Sequence, residues 1–150
     1  MMNVTLPAIL LAEDNPKDVT LTTRALAKHN LANRLVVTHD GVEAMQYLRR
    51  EGDYADREPG DPAVLLLDIK MPRMDGLEVL REIRGHPALK RLPVVILTSS
   101  REQQDLISSY ELGVNAYVVK PVDFMSFIDA VTQLGVFWAL INERPPETLA

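Results

Sequence analysis

Apolar residues along the chain fall into short unbroken runs, separated by longer stretches in which they recur every three or four positions. The runs are Ala8-Ile9-Leu10-Leu11-Ala12, Leu35-Val36-Val37-Thr38, Ala63-Val64-Leu65-Leu66-Leu67, Pro93-Val94-Val95-Ile96-Leu97 and Ala116-Tyr117-Val118-Val119. Each is of strand length and apolar on successive rather than alternate positions, the pattern of parallel strands covered by helices on both faces. The stretches between them predict five helices. The first begins at Asn15-Pro16, with Pro suited to an early helical position, and fades at Asn30. The second follows Asp40, with Glu43 three residues on as in a capping box, and runs to about Arg50. The third starts near Asp75 and stops at Gly85, where His86-Pro87 bars continuation. The fourth follows Ser99-Ser100, with Glu102 and Gln103 completing two possible capping boxes, and ends at Gly113. The last begins around Asp123 and extends to about Ile141. Five strand–helix units in alternation predict an α/β protein, a doubly wound five-stranded parallel sheet flanked by five helices.

Two segments depart from this rhythm. Residues 51–62 are polar, rich in Pro and Gly, and longer than most helix-to-strand loops, so they read as a solvated loop insertion. Along residues 124–141 apolar side chains run nearly all the way round a helix, from Phe124, Phe127 and Ile128 to Phe137, Trp138 and Ile141, whereas one core needs a single stripe. A surplus apolar face calls for cover, and a homodimer through the C-terminal half is the economical cover.

Composition narrows the classes. The 150 residues suit a single domain, 1–150, with a core at about 7–142 and a short tail at 143–150 that leaves no room for an output domain. A net charge of -5 disfavours nucleic acid and anionic membranes as partners. The absence of cysteine excludes disulfide scaffolds, thiolate catalysis and Cys-ligated metals. No apolar run approaches the length of a membrane span and no secretory signal pattern opens the chain, so the expected compartment is the cytoplasm.

The informative polar residues sit where the strands end. Glu13 and Asp14 follow the first run, Asp68 the third, Thr98 the fourth and Lys120 the fifth, all at the carboxyl edge where open α/β sheets bind ligands. Three converging carboxylates repel one another. A hard divalent cation with oxygen ligands resolves that repulsion, and Mg²⁺ held by two carboxylates plus water fits better than a full calcium cage. A lysine and a hydroxyl at the same edge suit an arriving phosphoryl group. A carboxylate can accept that group as an aspartyl-phosphate, and Asp68, on the middle run, is the natural acceptor.

These residues resemble a known family. Glu13-Asp14, the run Asp68-Ile69-Lys70-Met71-Pro72-Arg73-Met74-Asp75-Gly76, Thr98-Ser99 and Lys120-Pro121 are similar, in order, to the receiver domain of two-component response regulators, over about residues 7–142. The resemblance implies a flavodoxin-like strand order 2-1-3-4-5. It implies that Asp68 takes a phosphoryl group from a histidine kinase, and that Asp14, Asp68 and the Lys70 backbone carbonyl ligate Mg²⁺ with Glu13 acting through a water. Thr98 and Lys120 would contact the phosphoryl oxygens, and Tyr117 would be the aromatic switch that turns with Thr98. The Lys120-Pro121 bond would be cis. Output would be phosphorylation-dependent binding of a downstream protein. The 51–62 loop, the ending Phe137-Trp138-Ala139-Leu140-Ile141-Asn142 and Pro145-Pro146 resemble single-domain regulators partnered with bacterial phytochrome histidine kinases.

Taken singly, each residue has a plainer reading. Glu13-Asp14 could cap a helix, Thr98 could complete a β-branched strand, Lys120 could be a solvated loop lysine, and Tyr117 reads equally as core packing. Their joint placement outweighs these readings. His29, His39 and His86 lack metal-ligand spacing, and Arg49-Arg50 and Lys90-Arg91 are short basic pairs on solvated faces. Three rivals share parts of the pattern. A haloacid-dehalogenase-type phosphatase needs an aspartate two residues after its nucleophile, where this chain has Lys70. A nucleotide-binding Rossmann domain needs glycines in its first turn, which here reads Ala12-Glu13-Asp14-Asn15-Pro16. A receiver-like scaffold that is never phosphorylated would have lost the acceptor, the lysine or an acid, and all are present.

Overall fold

The computed structural model describes residues 7–100, 103, 114 and 116–141, with the side chains of Trp138 and Ile141 left aside. Five strands, β1 (Ile9–Ala12), β2 (Leu35–Thr38), β3 (Val64–Asp68), β4 (Val94–Thr98) and β5 (Tyr117–Val119), form one parallel sheet in the order β2-β1-β3-β4-β5. Its register sets Ala12 beside Thr38 and Leu67, Asp68 beside Leu97, and Thr98 beside Val119. The chain ends of four strands are thereby drawn to one edge.

Successive strand residues point to opposite faces, and both faces are covered. On one side Leu10, Leu65, Leu67, Val94 and Ile96 pack with Ala44, Leu48, Val79, Leu80 and Ile83 from α2 (Gly41–Arg49) and α3 (Gly76–Gly85). On the other, Ile9, Leu11, Leu66, Val95 and Leu97 pack with Leu26 of α1 (Pro16–Ala27), Phe127 and Val131 of α4 (Phe124–Gln133), and Leu140 of α5 (Phe137–Ile141). This two-sided burial is why the strands read as continuous apolar runs.

The helix starts follow the chain's own signals. Asn15, Asp40, Asp75 and Asp123 cap α1 to α4 by accepting backbone N–H bonds. Asp75 and Glu78 close a full capping box. At α2 only half of the expected box forms: Asp40 accepts from the Glu43 N–H, while the Glu43 carboxylate accepts from His39 N instead of Asp40 N. The helix expected after Ser99-Ser100 lies largely outside the described residues, but its start is visible, with Ser100 Oγ accepting from Gln103 N and Gln103 Oε1 from Ser99 N.

Two expectations are corrected. The last helix is not continuous from 123 to 141: it stops at Gln133 and resumes at Phe137. Gly135, at φ +74, bonds to Thr132 O while Val136 N bonds to Val131 O, the paired bonds of a left-handed C-terminal cap. The break folds α5 back so that Leu140 joins the same core as Phe127, and the apolar surplus read from an unbroken helix shrinks accordingly. Met125 and Val119 are the large hydrophobic residues left exposed among the described residues.

Nor is the 51–62 insertion merely solvated. It carries a 3-10 turn at Gly52–Tyr54, and the Tyr54 hydroxyl donates to Glu43 Oε2 at 2.5 Å. Arg57 lies 4.1 Å above the Tyr47 ring and donates to the carbonyls of Tyr47, Glu58 and Gly60. Two aromatic rings and one guanidinium give this polar segment a fixed course along the amino-end edge of the sheet.

Candidate phosphoryl-acceptor site

The carboxyl ends of the strands build the site residue by residue. Glu13 is the first residue past β1, and its N–H donates to Thr38 O at 3.0 Å, which continues the sheet by one step and buries its side chain completely. Asp14, next along, turns out to solvent. Asp68 ends β3 and is 7% exposed, and Thr98 ends β4 and is fully buried. Lys120 follows β5, with its N–H bonded to Thr98 O at 2.8 Å and a cis bond to Pro121.

Lys120 is the electrostatic centre of the group. Its Nζ stands 2.8 Å from Glu13 Oε1, 2.9 Å from Asp68 Oδ1 and 3.1 Å from Asp18 Oδ2. Burial works against its charge, yet these anionic contacts hold its pKa above the ordinary lysine range. Glu13 shows the opposite balance. Burial pushes its carboxyl up to about 7, Lys120 opposes the rise, and the neighbouring Asp68 adds to it. One lysine cannot neutralise so many carboxylates, and the local excess is negative.

Ligand oxygens of Glu13, Asp14 and Asp68 lie within 4.8 Å of one another. Asp14 and Lys70 also line one open cleft with Ile69, Met71 and Asp75. An all-oxygen, net-negative donor set of this kind fits a hard divalent cation. Among the described residues, Thr98 Oγ1 is buried without a hydrogen bond, and Glu13 Oε1, equally buried, is met by the Lys120 ion pair. An unsatisfied buried hydroxyl costs about 1–3 kcal/mol, so such a group in a native fold asks for a partner that arrives later.

The loop from Asp68 to α3 is fixed at its far end by Gly76. Its N–H bonds to Ile69 O at 2.8 Å, and a Cβ at this position would stand 2.2 Å from the Asp68 carbonyl oxygen. The Asp-Gly pair of the motif thus caps α3 and lets its first turn touch the backbone of Asp68.

The structure therefore brings together Glu13, Asp14, Asp68, Thr98 and Lys120, with Lys70 exposed on the adjoining loop. Tyr117 is half-buried against the α2–α3 side of the core, its hydroxyl 3.4 Å from Val114 O. Asp18 escaped the sequence reading. It is an acidic residue in the first turn of α1, and nothing in its neighbours distinguishes it from a solvated helix-start acid.

Comparison with known proteins agrees with this geometry. Residues 9–132 match the model of a family described as response regulator receiver domain. The response regulator Rcp1 of Synechocystis sp. is 40% identical over 130 residues, 87% of each chain. Its Mn²⁺-bound structure, at 38% identity, superposes with a TM-score of 0.69 over 93% of this chain and 99% of that one. The bacteriophytochrome response regulator AtBRR is 59% identical, with a TM-score of 0.88 over 93% of this chain and all of that one. The phosphorylated cyanobacterial phytochrome response regulator RcpA is 40% identical, with a TM-score of 0.71 over 95% of this chain and 99% of that one. No helix among the described residues is long and apolar enough to cross a membrane.

Proposed function

The chain belongs to the response regulator receiver domain family, and from that premise we propose that Asp68 is its phosphoacceptor, charged by a phytochrome-type histidine kinase. The close single-domain relatives are signalling switches rather than enzymes, and receiver domains bind a divalent metal and are served by a histidine kinase. The finer assignments are ours. A carboxylate oxygen of Asp68 attacks the phosphorus of a phosphohistidine protonated at its other ring nitrogen, the P–N bond breaks with its electron pair going to nitrogen, and the ring leaves as neutral imidazole. Lys120, already 2.9 Å from Asp68 Oδ1, offers its charge to the incoming phosphoryl oxygens. Thr98 Oγ1, buried and unbonded, is the hydroxyl that would meet one of them. Asp14, Asp68 and the Lys70 carbonyl would hold Mg²⁺, with Glu13 behind a water. The ion would neutralise charge building on the transferred group.

The observation that carries this reading is the cluster itself: Asp68 with Glu13, Asp14 and Lys120 around it, and the buried, unbonded hydroxyl of Thr98 at the end of the adjoining strand. Once phosphorylated, Thr98 and Tyr117 would reset the surface near β5 for a downstream protein. The domain is proposed to span 1–150 as a single cytoplasmic receiver, pairing with a second copy through its C-terminal half. Met125, 64% exposed at the start of α4, and Val119, 41% exposed on β5, support that pairing.

Intact-protein mass after incubation with a small phosphoryl donor and Mg²⁺ tests the assignment. Wild type should gain one phosphoryl group and Asp68→Asn none. The same samples under native conditions report the oligomeric state. No gain by folded wild type with metal present would sink Asp68 as acceptor.

A further inference from the structure

The loop between β3 and α3 carries Lys70, and its middle is held in a costly way. Arg73 lies at φ +66, the left-handed region that L residues other than glycine enter only at a cost. Glycine would sit there freely, so an arginine at this position must return something through its side chain. Its Nε donates to Asp40 Oδ2 at 2.8 Å. The other oxygen of Asp40 is engaged as well, accepting the Glu43 N–H that caps α2 at 2.8 Å. The next residue is tied to the same place, because Met74 O accepts the Gly41 N–H at 3.1 Å. A Cβ on Gly41 would fall 2.1 Å from that oxygen, so the start of α2 has been pared down to let the loop close on it.

We propose that Arg73 is a positioning residue for the metal site: its ion pair with Asp40 latches the β3–α3 loop onto the start of α2 and so holds the Lys70 carbonyl where a divalent cation would meet it. The proposal rests on the reading of Lys70 as a metal ligand. The loop has its own anchors, buried Met71, the Gly76 N–H bond to Ile69 O and the Met74 N–H bond to Pro72 O, and to these the Arg73 side chain and the Met74 carbonyl add its ties to the start of α2. Arg73 is 58% exposed and Asp40 13%. Exposed ion pairs add little to global stability. The latch therefore acts on the loop's own conformational population, which makes it separable from folding: a metal site that relaxes while the melting temperature stays nearly where it was.

Two substitutions isolate the charge from the backbone. Arg73→Gly keeps the left-handed turn without strain, and Asp40→Asn keeps a good helix cap while removing the anion. Mn²⁺ affinity is measured by calorimetry for wild type, each single variant and the double variant. Amide exchange of residues 69–74 is followed in the metal-free proteins. Each single variant should weaken Mn²⁺ binding roughly tenfold, the low end of what loss of outer-shell support costs. The double variant should be no weaker than the singles, and the loop amides should exchange faster in all three. Unchanged affinity and exchange in the single variants, or losses that add in the double variant, would overturn the latch. If wild type binds no Mn²⁺, the metal reading fails by itself, and exchange alone decides the latch: faster in the variants supports it, unchanged rejects it.

Discussion

The two edges of the sheet handle polarity in opposite ways. At the carboxyl edge, charges of one sign are crowded around Lys120, and Thr98 Oγ1 is buried without a hydrogen bond among the described residues. At the amino edge two arginines are engaged with neutral carbonyls. Arg34 donates to Pro7 O, Ala139 O and Leu140 O at 2.6–3.0 Å, and Arg57 to Tyr47 O, Glu58 O and Gly60 O. One edge closes its hydrogen bonds within the chain, and the other leaves them open. The lesson is that a functional site is recognised less by which polar residues it has than by which of them the fold declines to satisfy.

The largest break in this contrast should come from the amino edge. Arg34→Met strips three carbonyls of a charged donor and should cost about 2 kcal/mol, read from urea unfolding, while phosphoryl uptake by the folded fraction stays at the wild-type level. A carboxyl-edge change should have the reverse sign. Thr98→Val keeps the shape and removes the orphaned hydroxyl, so the metal-free protein should become more stable by about 1 kcal/mol. Equal or lower stability in that variant would mean the hydroxyl is satisfied after all.

The pH dependence sharpens the comparison by sign. Glu13, raised from 4.5 to about 7, binds a proton more tightly folded than unfolded. Metal-free stability from this group is therefore full below about pH 4.5 and is lost as pH rises toward 7. Asp40 and Glu43, at the start of α2, run the other way. Burial would raise both, but Arg73 and the Glu43 N–H hold Asp40 below the usual range, as the Tyr54 hydroxyl and His39 do for Glu43. Their contribution is present above the unfolded carboxylate values and fades as pH falls. Thermal unfolding followed from pH 4 to 8 should show the neutral arm persist in Thr98→Val and vanish in Glu13→Gln. An unchanged slope in Glu13→Gln would assign it elsewhere.

Much of this was legible in the order of residues. The five strands read as unbroken apolar runs because both faces of a parallel sheet are dry, and helix starts were marked by Asn15, Asp40, Asp75 and Asp123. Glu13, Asp68, Thr98 and Lys120 stood out because each follows a strand, where sequence position and spatial position coincide. Asp18 did not, since it reaches Lys120 from a helix turn whose facing depends on how α1 packs. The insertion looked solvated because its bonds run from Tyr54 and Arg57 to backbone and side chains distant from any pattern of period two or 3.6. Gly135 lies inside a stretch whose apolar residues continue on either side, so the pattern reads straight through the break that the structure places there. Whether a glycine ends a helix is decided by where the next turn can bury its face.

Arg34 has one more consequence. By holding Pro7 and the carbonyls of residues 139 and 140 on a single guanidinium, it gathers the two ends of the described fold into one doorway. The doorway opens on the edge opposite Asp68. Pro7 and Leu140, far apart in the chain, are thus neighbours at the pole of the sheet away from Asp68.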